Sequence, residues 1–426
     1  MKHTLLKRPT LLWFIPGLRV KRWFLLMLTG VTLLGLGIGF ILVEIYRETP
    51  LPAIFYYLTL QFIPRWGRAL LFGALGLSAF LLGLYRLNRT LVESVRGHDT
   101  QPLVKKLVQQ HITSHGPRVV AIGGGHGLAA LLRGLKTHTS NITAIVTVAD
   151  DGGSSGRLRR EFGVLPPGDF RMCISALADD ESLVSQLMQY RFGSGNGLSG
   201  HSFGNLFILA MAELTGSFER AILESSRVVA SQGRIVPSTL TDVTLCAEYK
   251  ALVGAPLPPA RGESSISKQG WPIERVWLEP SDPAAHPEAV RAILEADLVV
   301  LGPGSLFTSV LPNLLVPGIT QALREARARC VYVCNVATER GETDHFTMSD
   351  HVRALERHIG PGIIDVVLAN NQVYDQPEGV EVVLAEPFVA GSTVEVAQAD
   401  LADSAHPWRH DPQKLAAAVL KFARSA

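Results

Sequence analysis

Two kinds of hydrophobic pattern divide the chain. Near the amino terminus the apolar residues run on without charge: Trp23 to Val43 spans 21 residues, and Ala69 to Tyr85 a further 17 between Arg68 and Arg86. At about 1.5 Å rise per residue, a helix over the first run matches the ~30 Å hydrocarbon core of a bilayer. The second reaches it with its flanking arginines directed to the headgroups. The pattern predicts a two-helix transmembrane hairpin, about 23–43 and 69–85, inside a membrane anchor of residues 1–96. A cleaved signal peptide fits poorly, because the first run is too long and no small-residue cleavage site precedes the second. The loop segment Ala53–Ile63 is aromatic and apolar but short, as suits the outer interface.

From Arg118 the pattern changes to short β-branched runs separated by helical periodicity. The runs are VVAI (119–122), ITAIVTV (142–148), LVVL (298–301), VYVCNV (331–336) and IIDVVLA (363–369). Continuous apolar strands alternating with helices predict an α/β fold, a Rossmann-like parallel sheet covered on both faces. Residues 118–380 form this predicted domain, with a mostly helical insertion at 156–231. RIVPSTL, DVTLCAEY and IERVWLEP predict a small antiparallel group. Residues 97–117 read as a linker helix, and residues 381–426 as a C-terminal extension, with VEVVLAEPFV an edge strand and Gln413–Arg424 a closing helix.

Composition sharpens the division. The 426 residues are 47% hydrophobic and 18% charged, with a mean hydropathy of +0.21, which excludes a disordered chain. Residues 1–96 hold 12 Lys/Arg and 3 Asp/Glu, a net of +9; the remaining 330 hold 28 and 35, a net of −7. The basic balance therefore belongs to the anchor, and the large domain offers no general charge for nucleic acid. Lys2, Lys7, Arg8, Arg19, Lys21 and Arg22 precede the first span, and Arg86, Arg89, Arg96, Lys105 and Lys106 follow the second. The loop between them has only Arg47, Arg65 and Arg68, so both termini and the main domain are expected on the cytoplasmic side of a multi-pass membrane protein. Cys173, Cys246, Cys330 and Cys334 show no paired framework and read as buried thiols in a reducing compartment.

The candidate chemistry falls beyond the strand ends. The first strand runs into Gly123-Gly124-Gly125-His126-Gly127 and a helix at once, a backbone cradle for an anion at a helix N-terminus. It matches neither the dinucleotide fingerprint nor a P-loop. The second strand ends in Asp150-Asp151-Gly152-Gly153-Ser154-Ser155-Gly156. Two adjacent carboxylates beside small residues suit a magnesium ion or ribose hydroxyls. Leu165-Pro166-Pro167-Gly168-Asp169-Phe170-Arg171 is a rigid turn presenting an acid and a base, with Asp169 also able to cap a helix. His201 and Asn205 precede another helix. Gly302-Pro303-Gly304-Ser305 repeats the cradle after the third strand. Asn335, Thr338, Arg340 and Glu342 follow the fourth, and Asn370 and Asn371 the fifth. Ligands in open α/β sheets sit at this end of the strands.

Taken in order, GGGHGLAALLRGLK, TVADDGGSSGRLR, LPPGDFR, GHSFGN, VLGPGSLFTSVLPNLLVPGI and VCNVATERGETD resemble the gluconeogenesis-factor family (YvcK-like proteins), within the CofD-like superfamily. That family is related to 2-phospho-L-lactate transferase, which attaches phospholactate to a deazaflavin. The likeness runs from about Arg118 to Asn371, with His126 standing where the family commonly has Thr. It implies a nucleotide or UDP-sugar site on Gly124, Gly125, His126, Asp150, Asp151, His201, Asn205, Gly304 and Ser305. It also implies a role in cell-wall synthesis and cell shape.

Three functions follow as expectations. The first is a membrane-tethered regulator that binds a UDP-sugar and needs no cofactor. Its partners would be membrane lipid, a cell-envelope regulatory protein and further copies of the chain, with no nucleic acid. The second is a phospholactate-type transferase in which Asp150 or Asp151 acts with magnesium, Asp151 as the metal ligand. The third is a scaffold without a ligand.

Overall fold

In the computed structural model the described residues are 113–178, 183–194, 197–250, 257–377, 379–387 and 393–423, with part of 29–82. The chain divides into two units, Met1–His111 and Ile112–Ala426. In the first, the described residues are helical within Thr29–Gly39 and over 70–78. Among the described residues no single helix is long and apolar enough to cross a membrane. The expected spans 23–43 and 69–85 fall partly on residues outside those described, as does nearly all of the expected linker helix.

The second unit is built on a seven-stranded parallel sheet. Its strands are β1 (Val119–Gly123), β2 (Ile142–Val146), β3 (Arg234–Pro237), β7 (Leu298–Leu301), β8 (Arg329–Val333), β9 (Val366–Asn370) and β10 (Glu395–Ala399), in the order β10-β9-β8-β7-β1-β2-β3. Three further strands, β4 (Thr244–Tyr249), β5 (Ala260–Arg261) and β6 (Ile273–Glu279), make a separate antiparallel sheet ordered β5-β4-β6.

Every residue of β1, β7 and β9 is buried, which requires cover on both faces and explains runs with no polar alternation. Helices Gly125–Leu135, Gly168–Leu177 and Pro412–Val419 pack together as one group, and Pro287–Glu295 with Pro317–Glu325 as part of another. Each buried Val, Leu or Ile contributes roughly 1.5–3 kcal/mol relative to exposure.

The structure differs from the sequence pattern at three places. RIVP, expected in the antiparallel group, is β3, and it pairs parallel to β2 at the edge of the main sheet. A four-residue run has too little periodicity to choose its partner; the neighbouring strand chooses for it. Over its described residues, 380–387, VEVVLAEPFV forms an isolated bridge, Ala337 to Val382, and no named strand, and the edge strand is β10, parallel to β9. Its sequence, EVAQA, alternates weakly because β10 is only partly buried. The segment beyond residue 381 is therefore built into the sheet, and its last helix packs on Gly125–Leu135.

Candidate functional site

β1 is flanked by β2 on one side and β7 on the other, so successive connections leave the sheet in opposite directions. Open α/β sheets take their ligands beyond the carboxyl ends at such a switch point. Both glycine loops lie there. Gly124 is fully extended and delivers the chain into Gly125–Leu135, whose second residue, His126, is exposed. A Cβ on Gly127 would sit 2.5 Å from the Pro303 carbonyl oxygen, and one on Gly304 would sit 3.2 Å from the Gly124 carbonyl oxygen. The loops thus meet backbone to backbone, a distance only glycine permits. Asn313, fully buried, ties them by donating from Nδ2 to Gly123 O (3.0 Å) and Ser309 O (2.8 Å). The Gly304 N–H donates to Asn335 Oδ1 at 3.3 Å, and Ser305 Oγ donates to Glu339 Oε1 at 3.0 Å.

The aspartate loop after β2 joins the same crevice. Asp150 Oδ1 accepts the Gly152 N–H at 2.8 Å, turning the chain into helix Gly153–Phe162. Asp151 Oδ1 accepts the Ser264 N–H at 2.8 Å and so fixes the short helix Glu263–Ile266. Behind the loop stands a polar brace. His201 Nδ1 lies 3.0 Å from Ser154 Oγ, Asn205 Nδ2 donates to the same oxygen at 3.1 Å, and Arg171 Nε donates to Asn205 Oδ1 at 2.9 Å. His201 and Asn205 are buried and hold the serine turn in place. Burial, then the Arg157 charge, keeps the His201 imidazole below its ordinary value.

Acid chemistry concentrates between these loops. A Cβ on Gly124 would lie 2.3 Å from Asp169 Oδ2, and the Gly125 N–H donates to that carboxyl. Asp169 thus stands in the first turn of Gly168–Leu177 yet serves the neighbouring loop. Burial, reinforced by Asp150, pushes Asp169 up to about 7. Burial pushes Glu263 up to about 8, with Asp150, Glu342, Asp151 and Asp169 adding to it. Asp150 is raised by burial as well. Glu339 and Glu342 are both raised by burial, and Glu339 raises Glu342 further. Glu342 Oε1 accepts from Thr308 Oγ1 (2.9 Å) and Ser267 Oγ (3.1 Å), while Oε2 of each glutamate is buried without a hydrogen-bond partner. Among the described residues, no three His, Cys, Asp or Glu side chains are placed to hold one metal ion.

The structure therefore brings Gly124, Gly125, Asp150, Gly304 and Ser305 to one crevice, with His126 at its rim and His201 and Asn205 behind it. Asp151 faces the Glu263 turn. Glu263 and Glu339 have no counterpart in the sequence reading, and Glu342 appears there only as a neighbour. Asn370 closes its own turn and accepts the Leu401 N–H at 3.1 Å, serving the C-terminal segment. A separate cavity at the amino ends of β1 and β2, lined by Arg118, Arg234, Glu288, Arg291 and Glu295 among others, holds none of the predicted residues.

The family model described as 2-phospho-L-lactate transferase CofD matches residues 119–421. A Bacillus subtilis protein named gluconeogenesis factor is 49% identical over 62% of this chain and 81% of its own length. A Nostoc relative is 44% identical over 96% of this chain and 92% of its own. A crystal structure of a Bacillus halodurans protein superposes with a TM-score of 0.67 at 45% identity, covering 72% of this chain and 99% of that one.

Proposed function

This chain belongs to the CofD family and, within it, to the gluconeogenesis factors, and from that premise we propose that it binds a UDP-sugar in the switch-point crevice and acts as a membrane-tethered regulator of cell-wall synthesis and cell shape. The observation that carries the reading is the meeting of the two glycine loops, Gly124–Gly127 with Pro303–Gly304, beside the N-terminus of helix Gly125–Leu135. Backbone N–H groups at a helix start favour the negative charge of a diphosphate. The hydroxyl of Ser305 and the carboxyl of Asp150 supply partners for sugar and ribose hydroxyls. Such a site needs no nucleophile.

The test is thermal unfolding of the purified full-length protein with UDP-N-acetylglucosamine. A ligand that binds only the folded state at one hundred times its Kd adds about 2.7 kcal/mol. A folded sample whose Tm stays unchanged at saturating ligand refutes the reading. Tethering through spans 23–43 and 69–85 is tested by extraction of cell membranes with alkaline carbonate; release of the intact chain refutes that part alone.

A second reading, transfer of a phospholactyl group to a deazaflavin, draws on the family description together with the protonatable carboxyls of Asp169 and Glu263 beside the glycine loop. It requires product from an activated phospholactate donor and a deazaflavin, and loss of that product in Asp151→Asn.

A further inference from the structure

Two helices of the insertion carry an apolar face that the described residues leave open. Leu183–Gln189 (LVSQLMQ) and Phe203–Thr215 (FGNLFILAMAELT) pack against each other. In 7 and 13 residues they hold a single charged side chain, Glu213. A surface helix of a soluble domain keeps one polar side; a helix apolar all round belongs in a core or an interface.

Phe203–Thr215 buries the side that holds Asn205, Ile208, Leu209 and Ala212. At about 100° per residue the opposite side is Phe203, Leu206, Phe207, Ala210 and Leu214, which is apolar as well. Ala210 is exposed, Leu214 is 83% exposed, and Phe203, Leu206 and Phe207 are half-buried. The Phe203 and Phe207 rings stack with centroids 6.1 Å apart, which fixes both on this side. Leu183–Gln189 repeats the arrangement. Ser185 and Met188 are buried, while Leu183 and, one residue past the helix end, Tyr190 are 71% and 52% exposed on the other side, with Leu187 between them. The Phe203 N–H donates to Tyr190 O at 2.8 Å, so the two apolar sides adjoin.

From their exposed fractions these side chains present roughly 650 Å², more than the ~300–600 Å² of the largest apolar patch on a typical monomer and near the ~800 Å² each partner gives to a stable interface. The chemistry of the face selects its occupant. Neither helix holds a Lys or Arg, which a helix lying on anionic lipid would carry. Nor does the face hold the charges that steer a protein towards a partner of opposite sign. Aromatic and aliphatic surface without charge is the composition of homodimer interfaces, and a two-fold axis requires only that the patch match itself. Ala210, between Phe207 and Leu214, is the small position at which two copies of the helix can cross closely.

We propose that two copies of the chain meet on this face, with Phe203–Thr215 crossing the same helix of the partner beside Leu183–Gln189. The other side of that helix supplies Asn205, whose Nδ2 donates to Ser154 Oγ at 3.1 Å, so the interface backs the brace of the crevice. The proposal does not depend on which ligand the crevice takes.

The test is cysteine cross-linking of the full-length protein. Cys173, Cys246, Cys330 and Cys334 are buried, so a new surface thiol is the one that reacts. Ala210→Cys is expected to give a covalent dimer with a short bis-maleimide. Gln321→Cys, exposed on helix Pro317–Glu325, is expected to give none. Leu214→Arg and Leu183→Arg change exposed positions and leave the far-ultraviolet circular dichroism as it is. Each should raise the dimer dissociation constant about tenfold or more in sedimentation velocity, and remove the Ala210→Cys cross-link when combined with it. A wild type that sediments as a monomer at micromolar concentration overturns the proposal, as does a dimer that both arginine variants leave intact. Cross-linking of Ala210→Cys no faster than Gln321→Cys overturns it too. Shielding of Ala210→Cys from maleimide only by added phosphatidylglycerol vesicles assigns the face to lipid and equally overturns it.

Discussion

The contact between the two glycine loops can be broken by a single methyl group. In Gly127→Ala the added Cβ would lie 2.5 Å from the Pro303 carbonyl oxygen, 2.6 Å from its carbon and 2.7 Å from the Gly304 nitrogen. All three are backbone atoms, so no rotamer change relieves the overlap. Overpacking of this kind costs about 1–3 kcal/mol, and a backbone neighbour places it at the upper end. Alanine in a helix gains back up to about 1 kcal/mol over glycine. The clash wins by roughly 2 kcal/mol, which at ~2.1 cal/mol/K of unfolding entropy per residue lowers Tm by about 3 °C for a unit as long as Ile112–Ala426. Because the displaced segment is the cradle itself, the stabilisation by UDP-N-acetylglucosamine falls with it. Differential scanning calorimetry, with and without ligand, reads both effects. Gly193→Ala, where a Cβ meets nothing within 4 Å, is the matched control and stays within about 0.5 kcal/mol of wild type. A Gly127→Ala protein as stable as wild type, with its ligand response intact, would show that the loops do not touch.

Three further outcomes follow from the same site. The folded protein holds protons on Asp169 (about 7) and Glu263 (about 8) that the unfolded chain, with values near 3.8 and 4.5, releases; their contribution to stability is full below pH 4 and declines as pH rises through 7–8. Guanidinium midpoints measured from pH 5 to 9 should fall, and Asp169→Asn should flatten the fall; a rising profile contradicts the burial of these acids. Asn313→Ala removes the bonds to Gly123 O and Ser309 O and should cost about 1–3 kcal/mol in a denaturant titration, with an unchanged midpoint counting against the tie. His201→Ala and Ser154→Ala should couple by about 0.5–3 kcal/mol in a double-mutant cycle, since they share one hydrogen bond; additive effects would dissolve the brace.

The fold is legible where burial is complete. β1, β7 and β9 are apolar throughout because a parallel sheet covered on both faces leaves no wet side, and these strands lie where the pattern puts them. The pattern fails at the sheet's edges. β3 and β10 are only partly buried, so their sequences carry neither a continuous apolar run nor clean alternation. VEVVLAEPFV has the β-branched content of a strand, yet its described residues, 380–387, make one bridge and no named strand. Strand content is local; pairing is a property of the sheet.

The same distinction governs the site. Glycine turns and the aspartate pair are visible because each is a local motif at a strand end, where the backbone itself does the recognition. Glu263 carries no such mark. It enters the crevice only because Asp151, 113 positions earlier, accepts the Ser264 N–H and anchors its turn. Glu339 and Glu342 sit in the polar stretch beyond β8, and become buried acids through Ser305, Thr308 and Ser267 on other elements. Charge in this crevice is thus assembled by tertiary contact, while the backbone cradle is encoded locally. Residues that make hydrogen bonds with their own N–H groups can be found from sequence; residues whose role is to face another side chain need the fold to reveal their partners.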